Sequence, residues 1–450
     1  MQEYQRRARW QMKYSILVDV VGLEEKQLDS GLLPNVAKIA EKGEVAKLEP
    51  TFPAVTSTIQ ASVLSGKYPR EHGIISNGLY DRNTYNVSFW EQSSSLVQSQ
   101  RIWDTVKKSN GNKTAVLFWQ NTMYANSDII VTPRPIHLDD KMVMWCYSKP
   151  VGYYEKLKEK LGEFNLASYW GPLASPKSSE WITNAAEYTL ESERPNFLFV
   201  YIPHADYSAQ RFGKGAVQVR DDLKKADELV GRLVQKVIDL GIREETQFII
   251  LSEYAFNDVT GAVPLNLVLR DADLLSIRTI QEKEYLDLEY TKAFAMVDHQ
   301  VAHIYVKNGY EKETRKVLEN TNGVETILNS SSKKELAIDH ERSGELIAIS
   351  TRDRWFSYYW WHDESRAPDF ARKVDIHRKP GYDPVELFID HKTKSIPLDA
   401  SLIKGSHGRP PDLHAGEGLA LYASSKRHGI IAESGTARSV DIPKCLLDAQ

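Results

Sequence analysis

Four stretches of this chain are apolar almost throughout instead of alternating, and helical patterns separate them. Tyr14–Leu23, Lys113–Trp119, Asn196–Pro203 and Gln247–Glu253 read as strands buried on both faces. Between them, Gly31–Gly43, Ile102–Asn110, Ser178–Glu193 and Val217–Leu240 carry helical spacing. Pro34 suits the first turn of the earliest helix and Gly43 its end. Val45–Leu48 adds a short strand. This alternation predicts an α/β fold with a mainly parallel sheet and helices on both faces. Such sheets bind ligands outside the carboxyl ends of their strands. Polar residues there are therefore the first site candidates: Asp19, Asp206 just past Pro203, and Glu253. Trp119 ends another strand and is placed to line a pocket, or to pack in the core like Trp103.

The stretch from Thr51 to Gly73 has a different character. It opens on a proline-broken loop, runs through small, hydroxyl-bearing and apolar residues, and closes on Gly66-Lys67-Tyr68-Pro69-Arg70-Glu71-His72-Gly73. A helix beginning near Thr56 would gather unpaired N–H groups at its start, where the dipole favours an anion. A hydroxyl there could attack a phosphorus centre. Alternatively Thr56, Ser57 and Thr58 simply cap the helix.

Far downstream lies Lys404-Gly405-Ser406-His407-Gly408. With the strand-end Asp19 and the 66–74 turn, it makes the sequence resemble the alkaline phosphatase superfamily, and more narrowly its nucleotide pyrophosphatase and type I phosphodiesterase branch. That resemblance implies an alkaline-phosphatase-like fold and a nucleophilic threonine at Thr56. It also implies two divalent metal ions, zinc or manganese, held by Asp19, Thr56, Asp206, Glu253 and His407. The implied reaction is hydrolysis of a phosphoester or phosphoanhydride through a phospho-threonine intermediate. The substrate would be small and phosphorylated, such as a nucleotide derivative. Phosphonate hydrolysis, phosphomonoester hydrolysis and binding without turnover are the rival readings.

The match to the family pattern is uneven. The family's Pro-Asp-x-x-Gly-His stands here as Pro203-His204-Ala205-Asp206-Tyr207-Ser208-Ala209-Gln210, so Gln210 occupies a ligand histidine's place. Gln210 is itself a candidate metal ligand through its amide oxygen, neutral and weaker than a charged group. Its Asp-His-Gly stands as Glu253-Tyr254-Ala255, and a phenol, with a pKa of about 10, is a poor ligand near neutral pH. Ile59 replaces an asparagine, so the next residue, Gln60, is expected to donate to a phosphoryl oxygen, with Tyr254 nearby on the substrate. Replacement ligands are sought in His204, two residues before Asp206 on a continuing strand, and in Asp298 and His299, after an apolar strand. His303 and His377 are weaker candidates, His303 because it falls inside the next apolar run.

The expected division is an N-terminal arm over 1–13, a core over 14–300 and 400–450, and a smaller α+β cap over 301–399. The aromatic run Trp355-Phe356-Ser357-Tyr358-Tyr359-Trp360-Trp361 lies in that cap, to pack it or to stack on a ligand. With 57 basic and 61 acidic residues, nothing suggests a protein that coats nucleic acid. Cys146 and Cys445 alone make neither a disulfide framework nor a cysteine metal site. The polar, basic start runs directly into a strand carrying Asp19, unlike a secretory leader. No stretch reaches the roughly 18 to 20 apolar residues of a membrane span. A cytoplasmic location with no membrane partner is expected.

Overall fold

The computed structural model describes residues 13–139 and 141–447. All of the expected N-terminal arm except Lys13 lies outside them. Among the described residues nine strands form one sheet, in the order 436–438, 44–49, 420–424, 246–251, 14–20, 197–202, 114–117, 129–133 and 146–149. The five strands from Thr246–Leu251 to Ile129–Pro133 are mutually parallel, as their unbroken apolar sequences require. Ala420–Ser424 runs antiparallel to both its neighbours, and Cys146–Lys149 closes the far edge antiparallel. The sheet is therefore mixed.

Register sets the site. Asp19 lies opposite Tyr201 on one side and Leu251 on the other. The chain leaves Thr246–Leu251 toward Glu253 and leaves Phe197–Ile202 toward Asp206. Three adjacent central strands thus deliver one carboxylate each to the same end of the sheet. Helices Lys177–Glu193 and Val217–Asp239 pack against each other, and Pro34–Ala40 packs on the latter. Thr56–Ser65 packs separately, against Ile442–Leu447. No helix among the described residues is long and apolar enough to cross a membrane.

A second, antiparallel sheet has the order 293–298, 301–306, 346–350, 324–328 and a core of its own. Its first two strands form a tight hairpin through His299 and Gln300, and the expected boundary at 300/301 falls inside it. From Phe356 onward the aromatic run packs this second core, while Trp355 packs in a smaller cluster with Val259, Val385, Ile396 and Ile403. Trp355, Phe356, Tyr358, Tyr359, Trp360 and Trp361 are all buried, and the Trp360 indole N–H donates to Glu284 O at 3.1 Å.

Candidate active site

Helix Thr56–Ser65 starts where an extended Val55 hands over to helical backbone, and it ends on Gly66, at φ 69°. Only glycine adopts that left-handed conformation without strain. Thr56, the first helical residue, is buried, and its Oγ1 lies 3.1 Å from the Tyr254 hydroxyl. Tyr254 OH in turn donates to Asp206 Oδ1 at 3.3 Å. That bond uses the phenol's single proton, so Thr56 is the donor to Tyr254. The Tyr254 ring stacks on His407, with centroids 3.5 Å apart and planes 9° off parallel.

One turn along the same helix face, Gln60 points to the same place. Its Nε2 donates to Glu253 Oε1 at 2.7 Å and to Asp19 Oδ2 at 3.2 Å, while its Oε1 accepts the Gln120 N–H at 2.7 Å. The amide expected to face a phosphoryl oxygen is therefore occupied by two carboxylates. Asp206 Oδ2 accepts Gln210 Nε2 at 2.6 Å, and Gln210 Oε1, the oxygen expected to bind a cation, accepts the Tyr382 hydroxyl at 2.9 Å. His407 donates from Nδ1 to Ala54 O at 2.7 Å, which leaves Nε2 facing Asp206 Oδ1 at 3.8 Å.

The structure brings His299 to this cluster. Its ring lies 3.7 Å from that of His407 and stacks on Tyr382 at 3.9 Å. Asp298 stands one layer behind, accepting Ser76 Oγ at 2.7 Å, Asn77 N at 2.8 Å and Asn77 Nδ2 at 3.1 Å. Asn77 Oδ1 then accepts the Ser57 N–H at 2.9 Å, so Asp298 braces the start of the Thr56 helix. Sequence reasoning missed Asn77 and Tyr382 as site residues. Asn77 follows the His72-Gly73 turn and could have been noticed there, whereas nothing local marks Tyr382.

Other candidates lie elsewhere. His204 is a correction: a helix, Ala205–Phe212, begins directly after it, so the strand spacing to Asp206 fails. Both its ring nitrogens are taken, by Ser179 Oγ at 2.8 Å and Asp222 O at 2.9 Å. Trp119 is also corrected from pocket to core; it is fully buried, edge-on to Phe199. His377 bonds Phe89 O at 3.2 Å. His303 donates from Nε2 to Ile75 O at 3.0 Å and accepts the Gly344 N–H at Nδ1.

Burial above all, and then the Lys333 charge, oppose a proton on His303 and outweigh its bond to Ile75 O, so its pKa falls from 6.5 to about 4. A proton on Nδ1 would also face the Gly344 N–H donor. Below pH 6.5 the unfolded chain takes up a proton at this residue that the folded chain refuses. Stability from neutral His303 is thus present above 6.5 and is lost as pH falls toward 4. His303→Gln should be less stable than wild type at pH 7. Its deficit should shrink by up to about 3 kcal/mol between pH 6.5 and 4. Urea unfolding of both proteins at pH 7 and 5 checks this, and a constant deficit would contradict it.

Burial raises the carboxyl pKa values throughout the site. Asp19 and Glu253 are both pushed well up, chiefly by desolvation, and for Asp19 also by the charge of Glu253 beside it. Burial, then Glu253, lifts Asp206 to about 7. Burial pushes His407 down to about 3, keeping its imidazole neutral.

The two-ion centre implied by the resemblance can be tested against these donors. Asp19 Oδ1, Glu253 Oε2 and His407 Nε2 are buried without hydrogen-bond partners, which would welcome a cation. Yet the Gln60 amide lies between the first two residues, and Gln210 and Tyr254 both donate to Asp206. Among the described residues no three His, Cys, Asp or Glu side chains converge on one ion position. The arrangement does not fit two ions.

A fungal relative, an uncharacterised pyrophosphatase/phosphodiesterase of Schizosaccharomyces pombe, is 23% identical over 252 residues, 53% of this chain and 44% of its own length. Human ectonucleotide pyrophosphatase/phosphodiesterase family member 1 is 27% identical over 230 residues, 50% of this chain and 21% of its own. The match thus spans less than half of either relative. Among solved structures, phosphonoacetate hydrolase from Sinorhizobium meliloti superposes with a TM-score of 0.65 at 16% identity, covering 98% of this chain and 96% of that one. A murine ectonucleotide pyrophosphatase/phosphodiesterase in complex with AMP gives 0.60 at 13%, covering 97% and 94%. Both share the fold. The family model for type I phosphodiesterase / nucleotide pyrophosphatase matches residues 15–383, from the first strand through Tyr382, and the chain belongs to that family.

Proposed function

We propose that the chain hydrolyses a phosphoester or phosphoanhydride by transferring the phosphoryl group to Thr56 Oγ1. The observation that carries this reading is the hydroxyl chain from Thr56 through Tyr254 to Asp206. As Oγ1 forms its bond to phosphorus and the leaving group's bond breaks, the Thr56 proton passes to the Tyr254 oxygen. Tyr254's own proton passes to Asp206 Oδ1, so the phenol ends as it began. A terminal base with a pKa of about 7 suits proton transfer near neutral pH. The leaving group departs as its anion and takes a proton from solvent. Water then attacks the phospho-threonine and gives up one proton to solvent, and the departing Thr56 oxygen recovers its proton from Asp206 through Tyr254. His407, stacked under Tyr254, holds the phenol in line.

The family match and the relatives named as phosphodiesterases or pyrophosphatases support a diester or nucleotide-linked substrate. The phosphonoacetate hydrolase likeness adds phosphonates to the classes worth assaying. The test is turnover by the purified chain on a panel of aryl phosphodiesters, dinucleotides, phosphomonoesters and phosphonates. Hydrolysis with a diester or anhydride preferred is expected; no turnover on any class would overturn the proposal. Tyr254→Phe keeps the ring on His407 but breaks the relay. It should lower kcat about 10²-fold with KM nearly unchanged, as expected for a lost acid–base step. A variant with wild-type kcat would remove Tyr254 from the path.

A further inference from the structure

We infer that this chain holds at most one metal ion, because the Gln60 amide occupies the place between Asp19 and Glu253 that a first ion would need. The orientation of that amide is set by the backbone. The Gln120 N–H can bond only an acceptor, so it fixes Oε1 on its own side and turns the NH₂ group toward the carboxylates. Both amide protons are then used, one on Glu253 Oε1 and one on Asp19 Oδ2. An ion joining these two residues through Asp19 Oδ2 and Glu253 Oε1 would have to displace the amide and strand the Gln120 N–H in a buried setting, where an unpaired donor is costly. Asp19 Oδ1 and Glu253 Oε2 stay open, but among the described residues no third His, Cys, Asp or Glu side chain joins them to complete a shell.

Gln60 cannot swing aside as a surface side chain would. It is buried on the helix that carries Thr56, four residues back, and that helix start is braced by Asn77 and Asp298. The two carboxylates are thus held together by a neutral donor in place of a cation. On the other side of the site, Asp206 keeps one oxygen for Gln210 and shares the other with Tyr254. The free His407 Nε2, 3.8 Å from Asp206 Oδ1, is the remaining place where an ion could be taken, with the His299 ring beside it.

The test counts ions and needs no turnover, so its outcome is independent of whether the hydrolase reading holds. Wild-type chain freed of metal by chelator is dialysed against excess Zn²⁺, and separately Mn²⁺, and the bound ions per chain are measured by mass spectrometry. No more than one ion per chain is expected; two would overturn the inference. Gln60→Ala frees both carboxylates and should take up one ion more than wild type. An unchanged count would overturn the role given to Gln60. Asp19→Asn is nearly isosteric and can still accept from the Gln60 amide, so it tests the same point without emptying the site. It should leave the wild-type count unchanged, and a lower count would show that Asp19 is a ligand after all.

Discussion

Thr56→Ala should lower turnover on the preferred substrate by on the order of 10³-fold or more, the scale seen when a covalent nucleophile is removed. The fold should survive. The hydroxyl's bond is to Tyr254, which keeps its own bond to Asp206 when Thr56 is truncated. Thr56→Ser retains the attacking oxygen and should keep part of the activity, reduced because serine lacks the methyl group that restricts χ1. Acid-quenching the wild-type reaction and digesting the protein should reveal a phosphoryl mass increase on the peptide containing Thr56. The alanine variant should show none. Near wild-type turnover in Thr56→Ala would exclude the covalent mechanism whatever the substrate.

The parallel core was readable because strands buried on both faces are apolar at every position, as in Asn196–Pro203. Strand direction is not written in that way. Leu419–Ser424 is just as apolar, yet Ala420–Ser424 inserts antiparallel between Glu44–Glu49 and Thr246–Leu251. Asp19, Asp206 and Glu253 were legible as strand-end acids, and the three strands proved to be neighbours. His204 misled because the period changes at Ala205 from two residues to 3.6. On the helix Ala205–Phe212, Asp206 and Gln210 share a face, and the residue just before it does not join them. Gln60 was noticed for its amide but given the wrong partners; its bonds to Asp19, Glu253 and Gln120 join residues far apart in sequence. Tyr382 reaches Gln210 across 172 positions, and no local pattern encodes such a contact.

What holds Tyr382 in place is a buried charge cluster that should be among the most sensitive points of the fold. Lys379 is 1% exposed, and its Nζ lies 2.8 Å from Asp383 Oδ2 and 2.6 Å from Glu386 Oε1. Glu386 also accepts the Trp170 indole N–H at 2.6 Å and the Asp375 N–H at 2.9 Å. Tyr382 lies between these residues in sequence, anchored by its N–H to Val297 O at 3.0 Å. Lys379→Met would leave two carboxylates buried beside each other without a cation. Removing one partner of such a cluster costs about 3–5 kcal/mol, because the remaining charge is desolvated and unpaired. Replacing all three, as Lys379→Met with Asp383→Asn and Glu386→Gln, removes that charge and should recover most of the loss. Guanidinium unfolding of the single and triple variants measures both effects. If the single variant lost under about 1 kcal/mol, the cluster would not be the brace described here. Because the same segment carries Tyr382 to Gln210 and Gln210 to Asp206, the single variant should also lose turnover under conditions where it remains folded. The triple variant should regain turnover in step with its stability, since Tyr382 needs a packed segment behind it, not the charge itself.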